Sequence, residues 1–212
     1  MSRLKCVNLG LPKTGTTTLA HALGKGGWRV ADHKVRRVHT RTPGLGGTFV
    51  GRQIYNGYFE TGDPFAHLDL YDALSEISVL NGTTSLWPQC DYAVLKAMRL
   101  ARPNMLFVAT WRPPEEVSDS MRRWNNLGTD RLPGGSIPGL PHGFGESDGE
   151  RIRWIEGHYA MLRDIFGEDP RYLELPMGAP DARARLSAHV GIDLPWWGRL
   201  NVNDGAGARG VA

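Results

Sequence analysis

Cysteine is scarce in these 212 residues, with Cys6 and Cys90 the only two. Two thiols so far apart make neither a zinc-ligand spacing nor a disulfide framework. Their scarcity excludes a stapled secreted scaffold and fits a reducing cytoplasm. Long apolar runs are missing as well. No window approaches the roughly twenty residues of a membrane span, and M-S-R-L-K-C-V-N-L-G turns polar too soon to read as a signal peptide. The expectation is a soluble, unprocessed, cytoplasmic chain with no membrane partner. Nor is there a block of one charge sign. The 25 Lys and Arg against 22 Asp and Glu leave a net charge of +3, and a pI near 9.0 suits an anionic ligand. The arginines are scattered, so no nucleic-acid partner is expected. Internal repeats are absent, and oligomeric state has no signature. Hydrophobic residues, at 41%, are spread along the chain, enough for a single domain over residues 1–212.

Residues 4–9 read as a short buried strand and 16–23 as a helix, with a glycine-bearing loop between them. A second strand is expected at 28–31, and R-T-P-G-L-G-G-T-F-V-G-R (41–52) is too glycine-rich to be regular and reads as a surface loop. An apolar run at 77–80, followed by helical spacing at 91–101, reads as another strand-then-helix unit. M-L-F-V-A-T at 105–110 is the clearest buried strand. The W-R-P-P-E-E around its end puts prolines and acids where helices begin, predicting a helix over 114–126. Residues 132–145 are too rich in glycine and proline for regular structure, so 130–149 is expected to be a lid or substrate loop. A helix at 150–166, a strand at 171–175 and a helix at 181–190 follow, then P-W-W-G-R-L-N-V-N and a flexible tail at 204–212. This alternation predicts an α/β fold, a mostly parallel sheet with helices on both faces.

The loop N-L-G-L-P-K-T-G-T-T-T-L carries the most chemistry. Gly10 and Gly15 have the glycine spacing of a Walker A loop, G-x-x-x-x-G-K-[ST], but Thr16 stands where the lysine belongs and the lysine is Lys13, inside the loop. An ammonium there still lies over a diphosphate-like group. Thr16, Thr17 and Thr18 add hydroxyls and amides at a helix N-terminus, where the dipole favours an anion, although threonine also caps helices in any protein. No strand ends in a Walker-B aspartate, so magnesium is not implied and no metal ligands are expected.

The run P-K-T-G-T-T-T-L, with Pro12, Lys13, Thr14, Gly15, Thr16, Thr17 and Thr18, resembles the 5′-phosphosulfate loop of the P-loop sulfotransferases. A second motif agrees: in that family an arginine ends a strand, and a serine eight positions later joins it on the 3′-phosphate of the donor. Here Arg112 and Ser120 stand at that spacing. The resemblance covers residues 7–23 and 107–124 and is closest to the short bacterial-type members. It implies a sulfotransferase-like P-loop architecture and a donor, 3′-phosphoadenosine 5′-phosphosulfate (PAPS), leaving as 3′-phosphoadenosine 5′-phosphate (PAP). It implies also that Lys13 acts at the oxygen bridging phosphate and sulfuryl group. Two departures stand out. Thr18 replaces a tryptophan that stacks on adenine in many members, and the C-terminal R-K-G-x-x-G-x-x-K is absent, leaving Trp196, Trp197 or Arg199 as candidate replacements.

Family members place a histidine or glutamate base near the end of a middle strand. L-Y-D-A-L-S-E-I-S-V offers Glu76 and Asp72; Glu76 is the first choice and His33 the second. His67 and His142 have no such placement. Arg36, Arg37 and Arg41 read as a solvated cluster or as one that meets an acidic acceptor or the donor's phosphates, and Trp87, Trp111, Trp124 and Trp154 as core or pocket wall. The expected activity is sulfuryl transfer to a hydroxyl or amine of a small-molecule acceptor, whose recognition falls to residues 40–60 and 130–149. Two other classes remain: a nucleotide kinase with an altered loop, and a non-catalytic protein that binds PAP or another nucleotide.

Overall fold

The computed structural model describes residues 2–200, so the tail expected at 204–212 lies outside the described residues. Strand β1 (Cys6–Asn8) leads through the glycine loop into α1 (Thr16–Lys25), then β2 (Val30–Ala31), α2 (Val50–Thr61) and β3 (Ala73–Leu74). A hairpin of β4 (Val79–Asn81) and β5 (Thr84–Leu86) precedes α3 (Tyr92–Ala101) and β6 (Leu106–Trp111). The chain closes with α4 (Pro114–Arg122), α5 (Asp148–Phe166), β7 (Tyr172–Pro176) and α6 (Ala182–Val190).

Five strands form one sheet in the order β2-β3-β1-β6-β7, every pair parallel, with Val7 opposite both Leu74 and Phe107. The two-residue period of a strand sends neighbouring side chains to opposite faces. Val7, Leu74, Phe107 and Ala109 meet α2, α3, α4 and α5 on one face, whereas Cys6, Ala73, Val108 and Leu175 meet α1 and α6 on the other. The sheet is therefore covered on both faces, as the alternation predicts. Among the described residues, no helix is long and apolar enough to cross a membrane.

Three local expectations need correction. Regular structure begins inside the glycine-rich stretch, because α2 starts at Val50 and runs to Thr61. The apolar run at 77–80 does not add a strand to the sheet. Residues 79–81 pair antiparallel with 84–86 instead, and the sheet strand is Ala73–Leu74, just before Glu76. The helix expected over 114–126 stops at Arg122, because Asn125 and Asn126 both take positive φ, 44° and 49°, where asparagine is tolerated and a helix is not. Residues 130–149, expected as a lid or substrate loop, are anchored through Leu132, Ile137 and Leu140, all buried in the main core. The helix after them starts at Asp148 behind a capping box, Ser147 with Glu150.

Candidate functional site

The order of the sheet brings four strand ends to one rim, and each carries a group singled out in the sequence. Lys13 follows β1, His33 follows β2, Glu76 follows β3 and Arg112 follows β6. The chain reverses its direction of winding between β1 and β6, the switch point beside which open α/β sheets bind ligands.

One side chain ties the rim together. Asn8 Oδ1 accepts from the Gly10 and Thr110 amides, both at 3.1 Å, and Asn8 Nδ2 donates to the Ser75 carbonyl at 2.9 Å. Thr14 is buried and donates to the Leu11 carbonyl at 2.6 Å, while its hydroxyl lies 2.8 Å from that of Thr110. Thr14 thus shapes the loop from within. Lys13 and Gly15 take positive φ, 72° and 112°, curling the loop back over the start of α1. No side chain caps that helix, so its positive end is open to an anion. In its first turn, Thr17 is half-buried, and Thr16 and Thr18 are buried. Pro12 is half-buried at the loop's crest.

Lys13 and Arg112 are brought together: Arg112 Nη1 donates to the Lys13 carbonyl at 3.2 Å, and its Nη2 pairs with Glu116 at 2.7 Å. The Lys13 ammonium lies 4.7 Å from the Trp124 ring centroid. Burial holds this ammonium below the ordinary lysine range, and the charges of Arg112 and Arg123 lower it further, against an opposing pull from Glu76. Ser120 is buried on α4, the helix that follows Arg112.

Glu76 accepts from the Ser78 amide at 3.0 Å and the Ser78 hydroxyl at 2.6 Å. Burial pushes its carboxyl up to about 7, and the charge of Asp32 adds to the rise; hydrogen bonds from Ser78 and Thr16 pull it back only in part. His33 sits beside it, its amide donating to the Glu76 carbonyl at 3.0 Å and its Nδ1 to the Ser78 carbonyl at 3.2 Å. Its second nitrogen is then the basic one. Burial lowers its pKa from the ordinary value, so the ring is neutral at pH 7.

One nominated residue falls away from this rim. Asp72 precedes β3, at the opposite end of the sheet, and pairs with Arg3 at 2.8 Å and Lys5 at 3.7 Å. Burial raises its pKa, but these cations and the Arg29 amide outweigh it and leave the carboxyl low, unsuited to a base. Arg36, Arg37 and Arg41 are exposed, as expected of a solvated cluster. Arg199 is exposed near the end of the described residues. The stretch before it runs beside α1 toward the loop, since Asp193 neighbours Gly26 and the Trp196 ring meets His21 at 4.3 Å.

Sequence reasoning missed what surrounds Lys13. Trp124, read as core or pocket wall, is 36% exposed and carries the ammonium on its ring. Arg131 lies 5.4 Å from the same ring. The turn at Asn125 and Asn126 separates the two in sequence, and no apolar periodicity announces it. Asp32, beside His33, is a second half-buried acid there. Away from this cluster, α2, the hairpin and Pro138 enclose a groove of about 430 Å³ lined by Tyr55, Phe59 and Trp87 among polar groups. Compared with known proteins, the chain matches no family model and no curated protein.

Proposed function

We propose that the chain is a sulfotransferase that moves a sulfuryl group from PAPS to a hydroxyl or amine of a small molecule. The observation that carries this reading is the contact between Arg112 and the Lys13 carbonyl. It sets the strand-end arginine beside the loop lysine at the switch point, where one nucleotide with phosphates at both ends spans them. The fit has independent support. No side chain caps the α1 N-terminus, so the positive end of that helix is open to an anion.

PAPS supplies the sulfuryl group and a leaving phosphate. The chain's residues do the rest. Glu76, its carboxyl raised to about 7 by burial, takes the acceptor's proton in its ionised form. The acceptor oxygen or nitrogen then bonds to sulfur as the sulfur–oxygen bond to phosphate breaks, and the electron pair leaves on the phosphate oxygen. Lys13 and the amides of the loop stabilise that charge. Arg112 and Ser120 hold the 3′-phosphate, for which Arg112 must exchange its exposed pair with Glu116, a contact worth about 0–1 kcal/mol.

Purified protein is expected to bind PAP with micromolar or better affinity in the absence of magnesium, and Lys13→Ala is expected to abolish transfer of labelled sulfate. Failure of both overturns the reading. Magnesium-dependent binding of ATP in their place would favour the kinase reading.

A further inference from the structure

We infer that the acceptor is itself an anion, a hydroxyl- or amine-bearing molecule with a carboxylate or phosphate group, and that Arg131 grips that group. The inference rests on the sulfotransferase reading and names the acceptor class of the same site.

Of the arginines withdrawn from solvent, two lack a carboxylate partner among the described residues: Arg185, which lies on α6 and donates to the Glu174 carbonyl of β7, and Arg131, which lies in the cluster around Lys13. Arg102, Arg112, Arg151 and Arg171 each pair with a carboxylate. Half-buried Arg131 has no carboxylate partner among the described residues. Its Nη2 donates to the Leu80 carbonyl and its guanidinium faces Trp124. Burial alone acts on its pKa, downward, with no acid to offset it. A guanidinium has five donors in a planar fork suited to carboxylate or phosphate, and one neutral carbonyl leaves most of that capacity for a ligand.

Its position decides which ligand. Arg112 leaves β6 on one side of β1, while the hairpin that holds Arg131 through Leu80 leaves β3 on the other. Lys13 lies between, bonded through its carbonyl to Arg112 and resting its ammonium on the ring that Arg131 also faces. In-line transfer requires the acceptor to approach from the side opposite the leaving nucleotide. That side carries Glu76 and His33, and Arg131 is close enough to His33 for its charge to act on the imidazole. A cation on this flank therefore meets the acceptor and not the donor.

The test uses the full-length, PAP-loaded protein and matched phenols. 4-Hydroxybenzoate is compared with its methyl ester, and 4-hydroxyphenyl phosphate with hydroquinone. Calorimetry is expected to show each charged probe binding at least tenfold more tightly than its neutral counterpart, and the two pairs distinguish carboxylate from phosphate. Arg131→Gln should erase the preference and leave the dissociation constant of PAP unchanged, whereas Arg131→Lys should keep part of it. Equal binding of the pairs by the wild type, or no binding of either charged probe, overturns the inference without touching the donor reading. So does an Arg131→Gln protein that keeps the preference or loses PAP affinity. Loss of PAP binding by the wild type instead removes the sulfotransferase reading, and this inference with it.

Discussion

At Glu76 two demands conflict, and the conflict is measurable. Burial moves the carboxyl from its ordinary 4.5 to about 7, so the native state holds the proton more firmly than the unfolded chain. The stability this contributes is fully present below about pH 4.5 and is lost as pH rises through about 7. Each unit of displacement corresponds to about 1.4 kcal/mol, giving an upper bound of a few kcal/mol that solvent contact at the half-buried side chain reduces. The ionised form needed to accept a proton is thus the less stable one, a pattern expected where burial tunes a base. Denaturation of the wild type should show stability declining between about pH 5 and 8, and Glu76→Gln should flatten that decline. Turnover should rise over the same range with an inflection near 7, and Glu76→Gln should reduce it by a factor on the order of 100 or more. If His33→Gln abolishes turnover and Glu76→Gln does not, the base is His33. The sequence nominated His33 for its place just after a strand and Glu76 for its place just before an apolar run. Their coupling through Ser78 and Asp32 was not legible, because it depends on how neighbouring strand ends align.

The loop after β1 is built around close approaches that only glycine permits. A Cβ on Gly10 would lie 2.2 Å from Thr110 Oγ1 and 2.5 Å from its carbonyl oxygen. Thr110 cannot yield, since its amide donates to Asn8 and its carbonyl accepts from Tyr159 at 2.6 Å. Gly10→Ala should therefore destabilise the protein by about 1–3 kcal/mol in urea unfolding and weaken PAP binding by shifting the loop. Gly24 supplies the contrast: it is exposed in α1 with no atom near its would-be Cβ, so Gly24→Ala should stabilise by about 0.5–1 kcal/mol. Equal effects of the two changes would mean that the loop is not under this constraint. The same physics explains why α2 was illegible. Gly51 counted toward the glycine-rich stretch, yet the bare Cα atoms of Gly51 and Gly57 let the helix close on backbone, the would-be Cβ atoms lying 2.4 Å from the Ile77 carbonyl oxygen and 2.5 Å from that of Asp63. A two-residue strand such as Ala73–Leu74 is equally silent, its place fixed by pairing with β1 and β2. By contrast β6, six residues long and apolar, announced itself.

Alternating strands and helices made a covered parallel sheet readable, but the order of the strands was not, because parallel pairing joins segments far apart in sequence and leaves no local pattern. That order matters most for function. It places the loop after β1 next to the arginine after β6, although about a hundred residues intervene. The bridge between these two anchors is a single side chain meeting a neutral carbonyl. A ligand with phosphate at both ends should clamp both at once, and one lacking the 3′-phosphate should clamp only the loop. Hydrogen exchange separates these outcomes. PAP at a hundred times its dissociation constant should stabilise the fold by about 2.7 kcal/mol and slow exchange in residues 10–18 and 112–120 together. AMP, which lacks the 3′-phosphate, should slow exchange only in 10–18 and bind more weakly. Arg112→Ala should make the response to PAP resemble the response to AMP, because the second anchor is gone while the loop remains. Protection by AMP at both segments, or by PAP at neither, would mean that the two strand ends do not read opposite ends of one nucleotide.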